Sequence, residues 1–217
     1  MSADFRQDFI RFALEQNVLC FGEFKTKAGR VSPYFFNAGL FHHGHALKQL
    51  AQFYVKAIVA SGVPFDMLFG PAYKGIPLVA AVAIAFADEG RDVPYAFNRK
   101  ELKDHGEGGS VIGAPLAGRV LIVDDVISAG TSVRESVELM RQTGAQPCGV
   151  AIALDRMERG NTARSAVQDV RQNYKIPVIS IATLDDLVGF LAADRALASH
   201  LNAVQHYRER YGATLDA

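Results

Sequence analysis

Apolar residues recur along this chain with two alternating periods, and the alternation sets its class. Phe5, Phe9 and Phe12, with Ala13 beside them, fall at helical spacing, and Ser2 is placed to cap that helix. A strand is expected over 18–24, a turn over 27–30, and an aromatic strand at Tyr34-Phe35-Phe36. Leu47, Leu50, Tyr54 and Ile58 form one helical face, stopped at Gly62-Val-Pro64. From there strands and helices take turns. Strands are expected over 66–70, 95–98, 120–123, 147–154 and 178–182, and helices from Ile76, from Val133 to about Gln142, over 163–174 and over 184–191. A last helix carries Leu197, Leu201, Val204, Tyr207 and Tyr211. Such alternation predicts an α/β fold with a mostly parallel central sheet flanked by helices. The amino-terminal strands fall outside it and are expected to form a small cap over the ligand crevice.

The stretch from Arg119 to Ser132 combines three kinds of physics. Val120 to Val123 is an unbroken apolar run, as in a parallel strand buried on both faces. Asp124 and Asp125 then place two carboxylates at the strand's carboxyl end. Ile127-Ser-Ala-Gly-Thr-Ser132 is small and hydroxyl-rich and opens a helix. Free backbone N–H groups, hydroxyls and a positive helix end make a phosphate cradle. The aspartates would repel that phosphate. They suit the hydroxyls of an attached sugar, or a metal ion, so the stretch proposes a sugar phosphate as ligand.

Three other places carry candidate chemistry. Pro71-Ala-Tyr-Lys-Gly-Ile-Pro77 is a second strand–loop–helix anion site, in which Tyr73 and Lys74 are either solvated or functional. Arg99 to Ser110 holds three basic side chains, a histidine and three glycines, without an apolar period. It reads as a mobile loop, either merely solvated or a lid that carries cations onto a polyanion. Arg156, at the carboxyl end of a parallel strand, suits a ligand carboxylate or a structural ion pair. The Tyr34–Phe36 run suits core packing or a ligand platform.

Composition narrows the classes. Lys+Arg and Asp+Glu are both 23, so the net charge is zero and nothing points to a nucleic-acid coat or an anionic membrane. The longest apolar run, Ile76 to Ala87, falls short of the ~20 residues of a membrane span. The start has no hydrophobic signal core, and Cys20 and Cys148 form no metal or redox spacing, so a reduced, cytoplasmic chain is expected. His42, His43 and His45 have no acid or cysteine beside them and are read as surface or capping residues.

Val123-Asp-Asp-Val-Ile-Ser-Ala-Gly-Thr-Ser132 resembles the phosphoribosyl-diphosphate (PRPP) motif of type I phosphoribosyltransferases. Lys27-Ala-Gly-Arg-Val-Ser-Pro-Tyr-Phe-Phe-Asn-Ala-Gly39, Gly70-Pro-Ala-Tyr-Lys-Gly-Ile-Pro77 and Asn98-Arg-Lys-Glu-Leu-Lys-Asp-His-Gly-Glu-Gly-Gly109 resemble signatures of the orotate-specific family, closest to its bacterial dimeric members. The resemblance runs essentially end to end. It implies one phosphoribosyltransferase domain over 1–217, with a hood of approximately 1–40 plus carboxyl-terminal elements and a mobile loop over 99–110. It implies that Asp124 and Asp125 hold the ribose hydroxyls, while Val126, Ile127, Ser128, Ala129, Gly130, Thr131 and Ser132 wrap the 5-phosphate. Lys27, Tyr73 and Lys74 would face the diphosphate, and Arg99, Lys100, Lys103 and His105 would lie on or beside the mobile loop. Phe35 and Phe36 would flank the pyrimidine, and Arg156 and Ser128 would hold orotate. Lys27, Lys103, Asp124 and Asp125 are the implied catalytic groups. Mg2+ is implied as the cofactor, carried by PRPP and water rather than by direct protein ligands. The loop would close over the neighbouring subunit's site, so a homodimer is implied. Ser128 departs from the threonine more common there, and Lys25 is a second lysine near Lys27.

The rivals are weaker. A purine transferase has no use for Arg156, since purines bring no carboxylate. A non-catalytic nucleotide sensor would need a nucleic-acid face and would waste the basic loop. No complete Rossmann or P-loop fingerprint is present. If the loop is a lid, Lys103→Ala will lower turnover far more than it weakens PRPP binding, because its contact forms late. Steady-state kinetics beside a PRPP titration checks this, and equal losses in both would contradict the lid.

Overall fold

The computed structural model describes residues 4–26, 28–103, 109–160 and 162–213. Its centre is a six-stranded sheet in the order β5-β4-β3-β6-β7-β8. β3 (Met67–Gly70), β4 (Tyr95–Lys103), β6 (Arg119–Val123), β7 (Gln146–Asp155) and β8 (Val178–Thr183) run parallel. β5 (Gly109–Gly113) pairs antiparallel with β4 at the edge. Val120 to Val123 are fully buried, as an unbroken apolar run between two helical layers requires. On one face lie α1 (Phe5–Glu15), α2 (Gly44–Ser61), α3 (Gly75–Asp88), α6 (Leu184–Ala193) and α7 (Ala198–Tyr211). The other face carries α4 (Thr131–Thr143) and α5 (Ala166–Tyr174). Among the described residues no helix is long and apolar enough to cross a membrane.

Strand order positions the site. From β3 the chain crosses through α3 to β4 on one side, whereas from β6 it crosses through α4 to β7 on the other. The carboxyl ends of β3 and β6 therefore flank a topological switch point, where departing loops leave a crevice between them. Met67 pairs with Val120 and Phe69 with Ile122, so both strands end at one level. β7 reaches higher: Val123 pairs with Ala151, and the strand continues to Asp155.

β1 (Leu19–Lys25) and β2 (Val31–Phe36) form a separate antiparallel pair, with α7 packed against β2. The period of two along β2 buries Ser32, Tyr34 and Phe36 and turns Val31 and Phe35 outward.

Several expectations need correction. Asp4, not Ser2, caps the first helix, its side chain accepting from the Arg6 N–H at 3.1 Å. The helix expected from 163 starts at Ala166, where Ser165 and Gln168 form a capping box. The ends of the stretch expected as a mobile loop are strand, and 104–108 lie outside the described residues. Arg99 to Lys103 continue β4, and Gly109 opens β5, with Lys103 paired to Gly109. The cause is visible in the register. β3 ends opposite Phe97, so the rest of β4 extends past the core edge and needs no apolar period.

Candidate functional site

Two turns meet at the switch point. The first, 71–74, is drawn tight between two glycines. A Cβ on Gly70 would strike the Gly75 carbonyl and come 2.6 Å from Val79, and one on Gly75 would lie 2.7 Å from Pro71. Asn98 of β4 fixes the turn, its Oδ1 accepting from the Ala72 N–H at 2.8 Å. Tyr73 stands 59% exposed at the tip, and the Lys100 ammonium lies 5.4 Å from its ring centre.

The second turn follows β6. Its backbone stays tied to β7 by Asp124 N–H to the Ala151 carbonyl (3.0 Å) and Ala153 N–H to the Asp125 carbonyl (2.9 Å). From the core of α2, the fully buried Tyr54 hydroxyl donates to the Asp124 carbonyl at 2.7 Å. Both carboxylates are nine-tenths buried. Asp124 accepts from the Asp125 N–H at 2.9 Å and the Ser132 hydroxyl at 2.9 Å. Asp125 accepts from the Val126 N–H at 2.9 Å and from the Lys74 ammonium at 2.6 Å. Lys74, expected to face a diphosphate, thus bridges the two turns. Burial first, and the neighbouring Asp125 second, push the Asp124 carboxyl up to about 6; its hydrogen bonds and Lys74 only partly offset this.

Val126 and Ile127 are half-buried, whereas Ser128, Ala129 and Thr131 are exposed. Gly130 takes φ +71° at the head of α4, and no side chain caps that helix. Its first N–H groups are therefore open to an anion. Ser132 does not add a free hydroxyl to this cradle, because it holds Asp124. Beside Lys74 and Asp125 opens a cleft of about 350 Å³, walled by Phe41, Leu47, Leu50 and Leu78.

Arg156 lies higher, beyond the end of β7. Its Nε and Nη2 reach Glu158 Oε1 at 2.7 and 2.5 Å, and Nη2 also donates to Ser32 Oγ at 3.1 Å. Its guanidinium lies 4.5 Å from the Tyr34 ring centre. Burial opposes its charge, but Tyr34 and Glu158 more than offset that, and its pKa is raised. The two expected aromatic neighbours separate. Phe35 is 44% exposed and stacks on Phe24 at 5.3 Å, whereas the Phe36 ring is in the core, 6.3 Å from Phe9. Arg99 is half-buried, with no hydrogen bond from its Nε among the described residues. Lys27, His105 and the Lys103 side chain lie outside the described residues.

Four contributors escaped the sequence reading: Asn98, Tyr54, Ser32 and Glu158. Tyr54 reads as one more apolar position of a helical face, and Asn98 as a strand end. Glu158 carried a signal, an acid two residues beyond the strand-end arginine.

The Asp124 carboxyl generates a prediction. The folded protein holds that proton more tightly than the unfolded chain, whose carboxyl titrates near 3.8. Stability conferred by this group is therefore greatest below about pH 4, falls as pH rises to about 6, and stays low above. Asp124→Asn should stabilise the ligand-free protein at pH 8 by ~1–3 kcal/mol. Thermal melts across pH should show that gain vanish below about pH 4; a variant less stable at pH 8 would contradict the reading.

Comparison with known proteins agrees with this arrangement. A phosphoribosyl transferase domain model matches residues 38–182. The chain is 68% identical over 210 residues to an orotate phosphoribosyltransferase of Laribacter hongkongensis, covering 97% of this chain and 99% of that one. It is 66% identical over 210 residues to the enzyme of that name from Thiobacillus denitrificans, with the same coverage of 97% and 99%. The crystal structure of orotate phosphoribosyltransferase from Francisella tularensis superposes with a TM-score of 0.86 at 41% identity, over 95% of this chain and 100% of that one. With the switch-point site and a match over nearly its whole length, the chain belongs to the orotate phosphoribosyltransferase family.

Proposed function

We propose that the chain transfers the 5-phosphoribosyl group of PRPP to orotate, giving orotidine 5'-monophosphate and diphosphate in the making of pyrimidine nucleotides. The observation that carries this is the pairing of a buried acid pair with the uncapped head of α4, at the sheet's switch point. A ring nitrogen of orotate bonds to C1 of the ribose, and the electron pair of the breaking C1–O bond leaves with diphosphate. The protein needs no strong nucleophile for this. It must hold the sugar phosphate, present the base and neutralise the leaving group.

The α4 head, from Val126 to Ser132, takes the 5-phosphate. Asp124 and Asp125 accept from the ribose hydroxyls, and Lys74 exchanges its contact with Asp125 for the diphosphate. Tyr73, Arg99 and Lys100 are assigned to the same diphosphate, as are Lys27, Lys103 and His105, whose side chains lie outside the described residues. Arg156 takes the orotate carboxylate, and Phe35 covers the pyrimidine. Hydrogen bonds to charged groups contribute about 1.5–3 kcal/mol each, and ~1.4 kcal/mol is a tenfold change in rate. Two or three loop contacts made only at the transition state therefore outweigh the α4 dipole, worth ~0.3–1 kcal/mol. Affinity belongs to the cradle and most of the rate to the basic hairpin.

Magnesium fits this donor set only as PRPP's companion. No group of three or more acids, histidines or cysteines that could hold a metal ion forms among the described residues. A hard ion there would draw most of its oxygen ligands from diphosphate, ribose and water, with Asp124 and Asp125 beside it. Bound so, it would supply neutralisation of the leaving diphosphate. β4 and β5 form one edge of the sheet, and we further propose a homodimer in which the 99–110 stretch is shared between subunits. Cys20 and Cys148 are free thiols, which suits the cytoplasm.

The test is direct. Protein mixed with orotate, PRPP and Mg2+ should deplete orotate's ultraviolet absorbance; intact binding without depletion would favour a nucleotide sensor. Arg156→Ala should raise the orotate Michaelis constant about tenfold or more, for one lost charged hydrogen bond, and spare that of PRPP. An unchanged orotate constant would show that another group holds the carboxylate.

A further inference from the structure

Arg156 does not stand alone above the crevice. Glu158 Oε1 grips its Nε and Nη2, and Glu158 Oε2 lies 3.8 Å from Arg30 Nη1. The Tyr34 hydroxyl approaches the same Oε1 at 3.5 Å. Buried Ser32 supplies a further acceptor for Nη2 and itself donates to the Tyr34 carbonyl at 2.7 Å. The guanidinium edge bearing Nε and Nη2 is thereby occupied, and Nη1 makes no hydrogen bond among the described residues.

Glu158 is in turn fixed by the far end of the chain. It forms an antiparallel bridge with Gly212, just past α7. Ala213 N–H donates to the Met157 carbonyl at 2.8 Å, and Arg159 N–H to the Tyr211 carbonyl at 3.0 Å. Tyr211 also lies under Arg30, 4.9 Å from ring centre to guanidinium, and Tyr207 packs edge-on to Tyr34 at 6.2 Å. Hood strand, β7 end and carboxyl-terminal helix thus converge on one carboxylate.

Charge counting adds a second argument. Two guanidiniums, Arg30 and Arg156, face one carboxylate, so one positive charge is left over. That surplus matches a single carboxylate on a ligand, and the occupied edge of Arg156 leaves only Nη1 to meet it.

We propose that Glu158 is a positioning residue for the base-binding side of the site. Held by the end of α7, it fixes Arg156 so that Nη1 is presented to the orotate carboxylate. The proposal rests on the reading of Arg156 as the partner of that carboxylate. Glu158 does not touch the substrate; it acts through the arginine.

The sign of one measurement separates this role from a mere counter-charge. Removing an acid beside an anion site strengthens anion binding if the acid acts only by its charge. If the acid fixes the arginine, removing it weakens that binding. Michaelis constants for orotate and PRPP should be measured on the full chain with Glu158→Ala, Glu158→Gln, Arg156→Ala and the Arg156→Ala/Glu158→Ala double variant. Glu158→Ala should raise the orotate constant about tenfold, the value of one charged hydrogen bond. Glu158→Gln, which keeps shape and an acceptor, should raise it less. The PRPP constant should stay within about twofold, which a general loss of structure would not permit. In the Arg156→Ala background, Glu158→Ala should add nothing further to the orotate constant. An orotate constant that falls or stays level in both Glu158 variants, while Arg156→Ala raises it, overturns the proposal alone. A full additional effect in the double variant also overturns it. An unchanged constant in Arg156→Ala removes the substrate reading and the proposal together.

Discussion

Burial of two adjacent carboxylates at the end of β6 is the constraint around which the molecule is arranged. Unpaired charge in a protein interior is costly, so each acid must find partners. The structure supplies them from several directions. Ser132 reaches back from α4, the turn's own N–H groups close on the acids, and Lys74 crosses from the turn after β3. Tyr54 holds the Asp124 backbone from α2, outside both turns. The same contacts that make the acids tolerable bring the two turns side by side. One acid nevertheless stays raised to about 6, because its burial and the neighbouring Asp125 outweigh these contacts.

The rest of the site is built around that floor. β7 runs past the end of β6 and carries Arg156 above the acids, and the Ser32–Glu158 network ties that arginine to the hood strand and α7. Floor and roof therefore belong to different parts of the chain. The floor is mostly local, set within about ten residues of β6 with two outside contacts, from Lys74 and Tyr54. The roof is long-range, joining residues 32, 156, 158 and 212. On the proposed reading, sugar phosphate and base fall on two separately supported surfaces, and changes in one should leave affinity for the other's ligand largely intact.

What could be read from the sequence follows the same division. Val120–Ser132 was legible because every property needed there is local: an apolar run, two acids, small residues and a helical period. α2, α4 and the parallel strands were legible by periodicity, with Gly62 and Gly144 marking helix ends by left-handed backbone. The edge was not. Arg99 to Lys103 lie beyond the support of β3, and β4 continues there through an irregularity to Lys103, which pairs with Gly109 of β5, without apolar patterning. Phe35 and Phe36 share a motif but not a face, since a strand sends neighbours to opposite sides. Ser32 is not legible because its contact with Arg156 spans more than a hundred residues of chain, and Glu158, though two residues from Arg156, takes its place from Tyr34 and Gly212 elsewhere in the chain.

The central claim is that sugar phosphate and base meet on these two surfaces, with the acid pair below and Arg156 above. A crystal structure with PRPP, Mg2+ and an unreactive orotate analogue tests it most directly. The account predicts ribose hydroxyls on Asp124 and Asp125, the 5-phosphate on the N–H groups heading α4, and the analogue's carboxylate on Arg156 Nη1. A ribose bound away from the two aspartates, or a carboxylate held by another group while Arg156 stays closed on Glu158, would contradict it.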